Sequence, residues 1–250
     1  MQLGKLMFLE VGDAFFYIRH GDPVYETNSL TPLGQRQAEA VAKRLAVHGL
    51  DRIYVSTSQR AIDTARPTCE ILKMDMEQVD FVNEDHAWWN MTVEADTGEL
   101  IWPFFDPRTK PLAADPQMRA LGFEWYKHPA FEKYDFKKWA DWYYDETDKF
   151  FASLGYEHER YTGRYKVIKP NNERVAMFAH HCSGLTFLSC LLDIPFPIVN
   201  THLDMTHTGV TVIEFKEEFG YAQPRISMLS SDAHLYKEGL ATNYKNFYII

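Results

Sequence analysis

Cysteine is scarce in this 250-residue chain: three residues, at 69, 182 and 190. That number and spacing exclude a disulfide framework and point to a reducing compartment. Long apolar runs are missing too. The apolar N-terminal stretch is broken by Glu10 and Asp13, so neither a secretory leader nor a membrane span is expected. Positive charge is in deficit, with a formal net charge of −9. This argues against nucleic acid or an anionic membrane surface as a partner, although a local cationic pocket can still hold an anion. No internal repeat or low-complexity tract appears. Hydrophobic residues make up 46% of the chain, enough for a sizeable core. A cytoplasmic protein with one domain over 1–250 is the expectation, and a homodimer is compatible with it.

The organising stretch is Ala14-Phe15-Phe16-Tyr17-Ile18-Arg19-His20-Gly21. Five apolar residues in a row read as a buried strand of a parallel sheet. In open α/β sheets, ligands bind beyond the carboxyl ends of the strands. The strand therefore delivers a guanidinium and an imidazole to a ligand, and Gly21 permits a sharp turn or a close approach. The planar fork of Arg19 suits a phosphate or a carboxylate. These residues suggest His20 as a nucleophile towards phosphorus with Arg19 on the phosphoryl oxygens, though the triplet alone is a weak signal.

Thr31 and Pro32 open a helix over 32–47, with Ala38, Val41, Ala42 and Leu45 on one face. Ile53-Tyr54-Val55 is the next strand, completing a βαβ unit. It runs into a Ser/Thr cluster, and Arg60 follows in the first turn of a second helix. A cation there opposes the helix dipole, a local rule broken where function is expected. Pro67 is expected to start a new helical segment or kink this one. Residues 79–83 alternate as a third strand that ends at Glu84 and Asp85. Residues 5–10 and 14–18 could pair as a hairpin.

All six tryptophans lie between Trp88 and Trp142. We read 86–170 as an inserted, aromatic-rich cap, with a helix over 136–154 and a hairpin turning at Thr162-Gly163. The core resumes with the strand Val175–Ala179, which ends in His180, then a helix over 183–192. Strands over 209–215 and 224–229 close the fold. The fold class is α/β, a three-layer sandwich with a mostly parallel central sheet flanked by helices.

Arg19-His20, Arg60, Glu84 or Asp85, and His180 all fall at strand ends, which a parallel sheet gathers on one edge. Two arginines and two imidazoles make an anion site, and a carboxylate beside it can move a proton. Phosphoryl transfer needs this combination, because its transition state is stabilised mainly by positioning and charge. The blocks Arg19-His20-Gly21, Leu30-Thr31-Pro32-Leu33-Gly34 with Gln37-Ala38, Ser56 with Arg60-Ala61 and Thr64-Ala65, and Val175 to His180 with Gly184-Leu185 occur in that order. In this order they resemble the histidine phosphatase superfamily, also called phosphoglycerate mutase-like.

The resemblance implies a phosphohistidine intermediate on His20 and a phosphate held by Arg19, Arg60 and His180. It also implies a carboxylate acid and base at the cap, for which Glu84 is the first choice and Asp85 the second. The chain departs from the family pattern at His181-Cys182, where a glycine pair is usual. Its loop after the first motif is short and lacks the arginine that many mutases carry there. The function expected is a metal-independent phosphomonoester phosphatase acting on a small phosphorylated substrate without a cofactor. Two alternatives are a phosphomutase and a catalytically weak phospho-ligand binding protein.

No metal site is expected at His180-His181, since neighbouring strand residues face opposite ways. Alternation does not choose between His180 and His181 for the pocket, whereas the family spacing favours His180. His202, His207 and His234 read as surface or structural, with His207 able to approach the pocket from a loop.

Overall fold

The computed structural model describes residues 13–170 and 172–242. The expected pairing of 5–10 with 14–18 falls outside them.

The chain opens with β1 (Asp13–Arg19), followed by a small two-stranded ribbon, β2 (Pro23–Val24) and β3 (Ser29–Leu30). Next come α1 (Pro32–Ala46), β4 (Arg52–Ser56), α2 (Gln59–Leu72) and β5 (Glu77–Val79). Then α3 (Glu84–Met91) leads to a second ribbon, β6 (Val93–Glu94) and β7 (Leu100–Ile101), and on to α4 (Pro116–Leu121) and α5 (Phe136–Ser153). The hairpin β8 (Tyr156–Glu159) and β9 (Arg164–Val167) precedes β10 (Arg174–Ala179), α6 (Cys182–Leu192) and α7 (Phe196–His202). Finally β11 (Val210–Glu218) and β12 (Tyr221–Ser231) run into α8 (Ala233–Lys237).

The main sheet has eight strands in the order β5-β4-β10-β1-β11-β12-β9-β8. From β5 to β1 every pairing is parallel, and from β1 to β8 every pairing is antiparallel. The expected α/β class with helices on both faces is therefore present. In the parallel half, β1, β4 and β10 end side by side at Arg19, Ser56 and Ala179.

The unbroken apolar run of β1 is explained by its place next to the middle of the sheet. Phe15 and Tyr17 pack towards Phe151, Leu185 and Phe187 of α5 and α6. Ala14, Phe16 and Ile18 pack towards Val41, Leu45, Ala61 and Ala65 of α1 and α2. Both faces are dry, so alternation gives way to a continuous run. These two cores make the three layers.

The segment 86–170 divides differently from the expected single insertion. Residues up to the start of α5 build a separate aromatic core, with Trp102, Phe104, Trp125, Phe131 and Phe136 against Cys190 and Phe196 of α6 and α7. The last turns of α5 carry Phe150 and Phe151 into the main core instead, and β8–β9 extends the main sheet. Aromatic side chains fill either kind of core equally well, so composition could not draw this boundary. Pro67 does not start a new helical segment: α2 runs through it as one helix.

Candidate active site

The loop after β1 is clamped on α1 and α2 by small residues. A Cβ on Gly21 would sit 2.6 Å from the Gly34 carbonyl oxygen, and one on Gly34 would sit 2.2 Å from the Asp22 carbonyl oxygen. The two glycines thus let the backbone cross where no side chain fits. The Gly21 N–H donates to Thr64 Oγ1 (2.9 Å), and Thr64 donates to the Arg60 carbonyl (2.7 Å). The Asp22 N–H donates to Gln37 Oε1 (2.8 Å), and Thr31 donates to Asp22 Oδ2 (2.7 Å). The polar positions of the motif blocks therefore hold one loop, and that loop carries His20.

His20 is 2% exposed, and its Nδ1 lies 2.7 Å from the Gly21 carbonyl oxygen. A carbonyl only accepts, so Nδ1 carries the proton and Nε2 keeps its lone pair. Burial, then the charges of His180, Arg19, Arg60 and His207, hold the His20 pKa well below the ordinary histidine value. The imidazole is a neutral base at physiological pH.

His180 ends the neighbouring strand β10, its ring centroid 5.2 Å from that of His20. Tyr17 fixes its backbone by donating to the His180 carbonyl (3.0 Å) and accepting from its N–H (3.3 Å). Gly184 makes room for that tyrosine, since a Cβ there would lie 2.6 Å from the hydroxyl. His180 Nε2 meets Ser56 Oγ at 2.8 Å. Burial pushes the His180 pKa down to about 3, with Arg60 and Arg19 adding to the shift and Glu84 opposing it.

Arg19 is anchored through Nη1 on the Met205 carbonyl (2.5 Å), and Arg60 through Nη1 on Asn28 Oδ1 (2.8 Å). Ser58 sits at the N-cap position of α2 without capping it and donates to the same Asn28 oxygen (2.7 Å). Among the described residues, Arg19 Nε, Arg60 Nε and His180 Nδ1 are buried with no hydrogen-bond partner.

The carboxylate arrives by a different route from the one the alternation suggested. Residues 80–82 form a 3-10 turn after a strand of only three residues, and Glu84 is the first residue of α3. Its two oxygens accept the N–H groups of Cys182 (3.0 Å) and Ser183 (2.8 Å) at the start of α6. Those N–H groups are thus taken up by a carboxylate. Burial pushes the Glu84 pKa up, but the adjoining His180 and the two N–H bonds outweigh it and hold the acid below its usual range. Asp85 is exposed.

His181 turns away from His180 and bonds Asp204 Oδ1 through Nε2 (2.6 Å). His207 is buried, with its ring 5.7 Å from that of His20 and its Nδ1 3.4 Å from Asp22 Oδ1. His234 is buried as well, whereas His202 is exposed. Sequence reasoning assigned no role to Asn28 or Ser56, because small polar residues at strand ends look alike as turns and caps. Among the described residues no group of three or more His, Cys, Asp or Glu side chains is arranged to hold a metal ion. None of their helices is long and apolar enough to cross a membrane. The cleft of about 460 Å³ beside α1 and α8 is lined by none of the expected site residues.

A family model described as histidine phosphatase superfamily (branch 1) matches residues 15–127, which bears out the resemblance carried by the motifs. No curated protein matches the sequence. Among solved structures, phosphoserine phosphatase from Entamoeba histolytica in complex with 3-phosphoglyceric acid is similar at a TM-score of 0.57 and 18% identity, covering 89% of this chain and 99% of that one. A mycobacterial glucosyl-3-phosphoglycerate phosphatase follows at 0.54 and 18%, covering 87% and 99%. YhfR of Bacillus stearothermophilus gives 0.54 and 18%, covering 90% and 100%. At such identities the likeness is one of fold.

Proposed function

We propose that this chain, whose residues 15–127 carry the histidine phosphatase superfamily pattern, is a phosphomonoester phosphatase working through a phosphohistidine on His20. One observation carries the reading. Three buried nitrogens without a protein partner, on Arg19, Arg60 and His180, belong to the residues around an imidazole whose other ring nitrogen is already engaged. A buried polar group left unpaired is costly, and an anion is the ligand that satisfies two guanidinium N–H groups together.

The His20 Nε2 lone pair attacks phosphorus as the bond to the leaving oxygen breaks. Glu84 gives that oxygen its proton. Water then attacks the phosphorus of the N–P bond, Glu84 takes a proton from it, and His20 recovers its lone pair. Splitting hydrolysis this way replaces one hard displacement by two easier ones. At rest Glu84 is ionised. A phosphate arriving beside it is a like charge, which raises its pKa and lets the proton enter with the substrate. The arginines supply the positive charge, so the scheme calls for no metal. The mutase alternative gains no support from structural neighbours that are described as phosphatases.

Release of phosphate from p-nitrophenyl phosphate in the presence of a chelator tests the reading. The wild-type protein should turn over, and His20→Ala should lose at least about 10⁴-fold, as when a nucleophile is removed. Equal activity in the two proteins overturns it.

A further inference from the structure

Ser56, the last residue of β4, is fully buried. Among the described residues its oxygen has two hydrogen-bond neighbours: the Ser58 N–H at 3.3 Å and His180 Nε2 at 2.8 Å. The Ser58 N–H is a donor and takes one lone pair of the hydroxyl. The hydroxyl proton then needs an acceptor, and His180 Nε2 is the atom in reach. If Nε2 were protonated instead, the serine would face two donors and its own proton would have nowhere to go. Leaving it unpaired in a dry site is unfavourable.

We infer that Ser56 is a positioning residue that fixes the tautomer of His180, holding the proton on Nδ1 so that this nitrogen donates to the anion in the pocket. His180 Nδ1 is buried without a protein partner, as a donor reserved for a ligand would be. The two facing imidazoles are thereby set in opposite senses. A carbonyl, which only accepts, strips His20 Nε2 of its proton; a hydroxyl, obliged to donate, places the proton of His180 on Nδ1. One ring is a nucleophile and the other a donor, although both are neutral. Without the serine, the two neutral tautomers of His180 lie close in energy, and the Nε2–H form would aim a lone pair at the phosphate. This role of Ser56 rests on the proposed function, with His180 as one of the groups around the phosphate.

The test is Ser56→Ala, which removes the oxygen and adds no bulk. Nitrogen-15 shifts of ring-labelled histidine should report Nδ1–H for His180 in the wild type and an Nε2–H or mixed population in Ser56→Ala, while His20 stays Nδ1–H. Inorganic phosphate should bind the variant about 10- to 100-fold more weakly, by analogy with the outer-shell partners of metal-bound imidazoles. Nitrophenyl phosphate turnover should fall in parallel. A His180 tautomer and phosphate affinity unchanged by the substitution overturn the inference. Failure of the wild type to hydrolyse the ester would overturn the phosphatase reading alone, because the shifts and phosphate binding need no turnover.

Discussion

Two buried histidine sites in this molecule sit in opposite electrostatic settings. Around His20 and His180 the permanent charges nearby are largely guanidinium, and both imidazoles are held neutral. His158, on β8, has Asp148 at 2.7 Å from Nδ1 and Asp193 at 3.1 Å from Nε2. With a carboxylate on each side, both ring nitrogens donate and the ring is a cation. Burial pulls the His158 pKa down, but the two carboxylates outweigh it and raise it. Its ring stacks on Tyr165 with centroids 4.2 Å apart, and Arg160 adds a bond to Asp148 at 2.5 Å. Asp193 also takes the Gly163 N–H (2.9 Å) and the Tyr144 hydroxyl (3.1 Å). Every charge at this knot is matched from within, and it ties α5, α6 and the β8–β9 hairpin together. The strand-end pocket holds cationic and imidazole groups with nitrogens left over. A closed charge set serves the fold, and an open one is what the proposed phosphate would complete.

That contrast can be broken. The largest effect falls on the open site: Glu84→Gln should lower kcat on an alkyl phosphate by about 10²–10⁴-fold, the range of a lost general acid. The loss on nitrophenyl phosphate should be much smaller, since nitrophenolate leaves without a proton. Equal losses on the two esters would contradict the acid role. At the closed site, His158→Ala strands a buried carboxylate and should destabilise by about 3 kcal/mol, measured by urea unfolding. Activity per folded molecule should change little, and a selective loss of kcat would tie the knot to catalysis instead.

The smallest and most diagnostic effect is in the pH dependence of stability. The pKa values of His20 and His180 are lowered on folding, so the unfolded chain binds more protons below about pH 6.5. Stability therefore falls as pH drops from there, and the share of His180 continues down towards its own pKa of about 3. His158 is raised, so its contribution is complete below about pH 6.5 and is lost as pH climbs through its folded value. Each group contributes a slope of up to about 1.4 kcal/mol per pH unit. Denaturation across this range should show the alkaline limb flattened in His158→Gln and the acid limb flattened in His180→Gln. Exchanged limbs would reverse the two assignments.

Much of the open site was legible in the sequence because its parts are strand ends. A buried parallel strand announces itself as an apolar run, and whatever polar residue stops the run must lie at the ligand edge. Arg19, His20 and His180 follow from that rule, and Arg60 follows from breaking the dipole rule one turn further on. Glu84 was picked for the wrong reason. The alternation at 79–83 belongs to a three-residue edge strand and a 3-10 turn, and the carboxylate reaches the site from the start of α3. Ser56 and Asn28 reach the site through hydrogen bonds to His180 and Arg60, 124 and 32 residues away, and nothing local marks such bonds. The His158 knot was invisible for the same reason, since its two carboxylates are 10 and 35 residues distant. The extent of the cap was misjudged because aromatic clustering does not say which core the rings fill.

In the proposed mechanism His20 carries the phosphoryl group on Nε2. Phosphorus-31 spectra of the protein mixed with a slowly hydrolysed phosphate ester, recorded at alkaline pH where phosphohistidine survives, test it most directly. One phosphoramidate signal is expected, assigned by peptide mapping to the Nε2 position of residue 20, lost on acidification and missing in His20→Ala. A protein that turns the ester over with no such signal, or with the label on another residue, would contradict it.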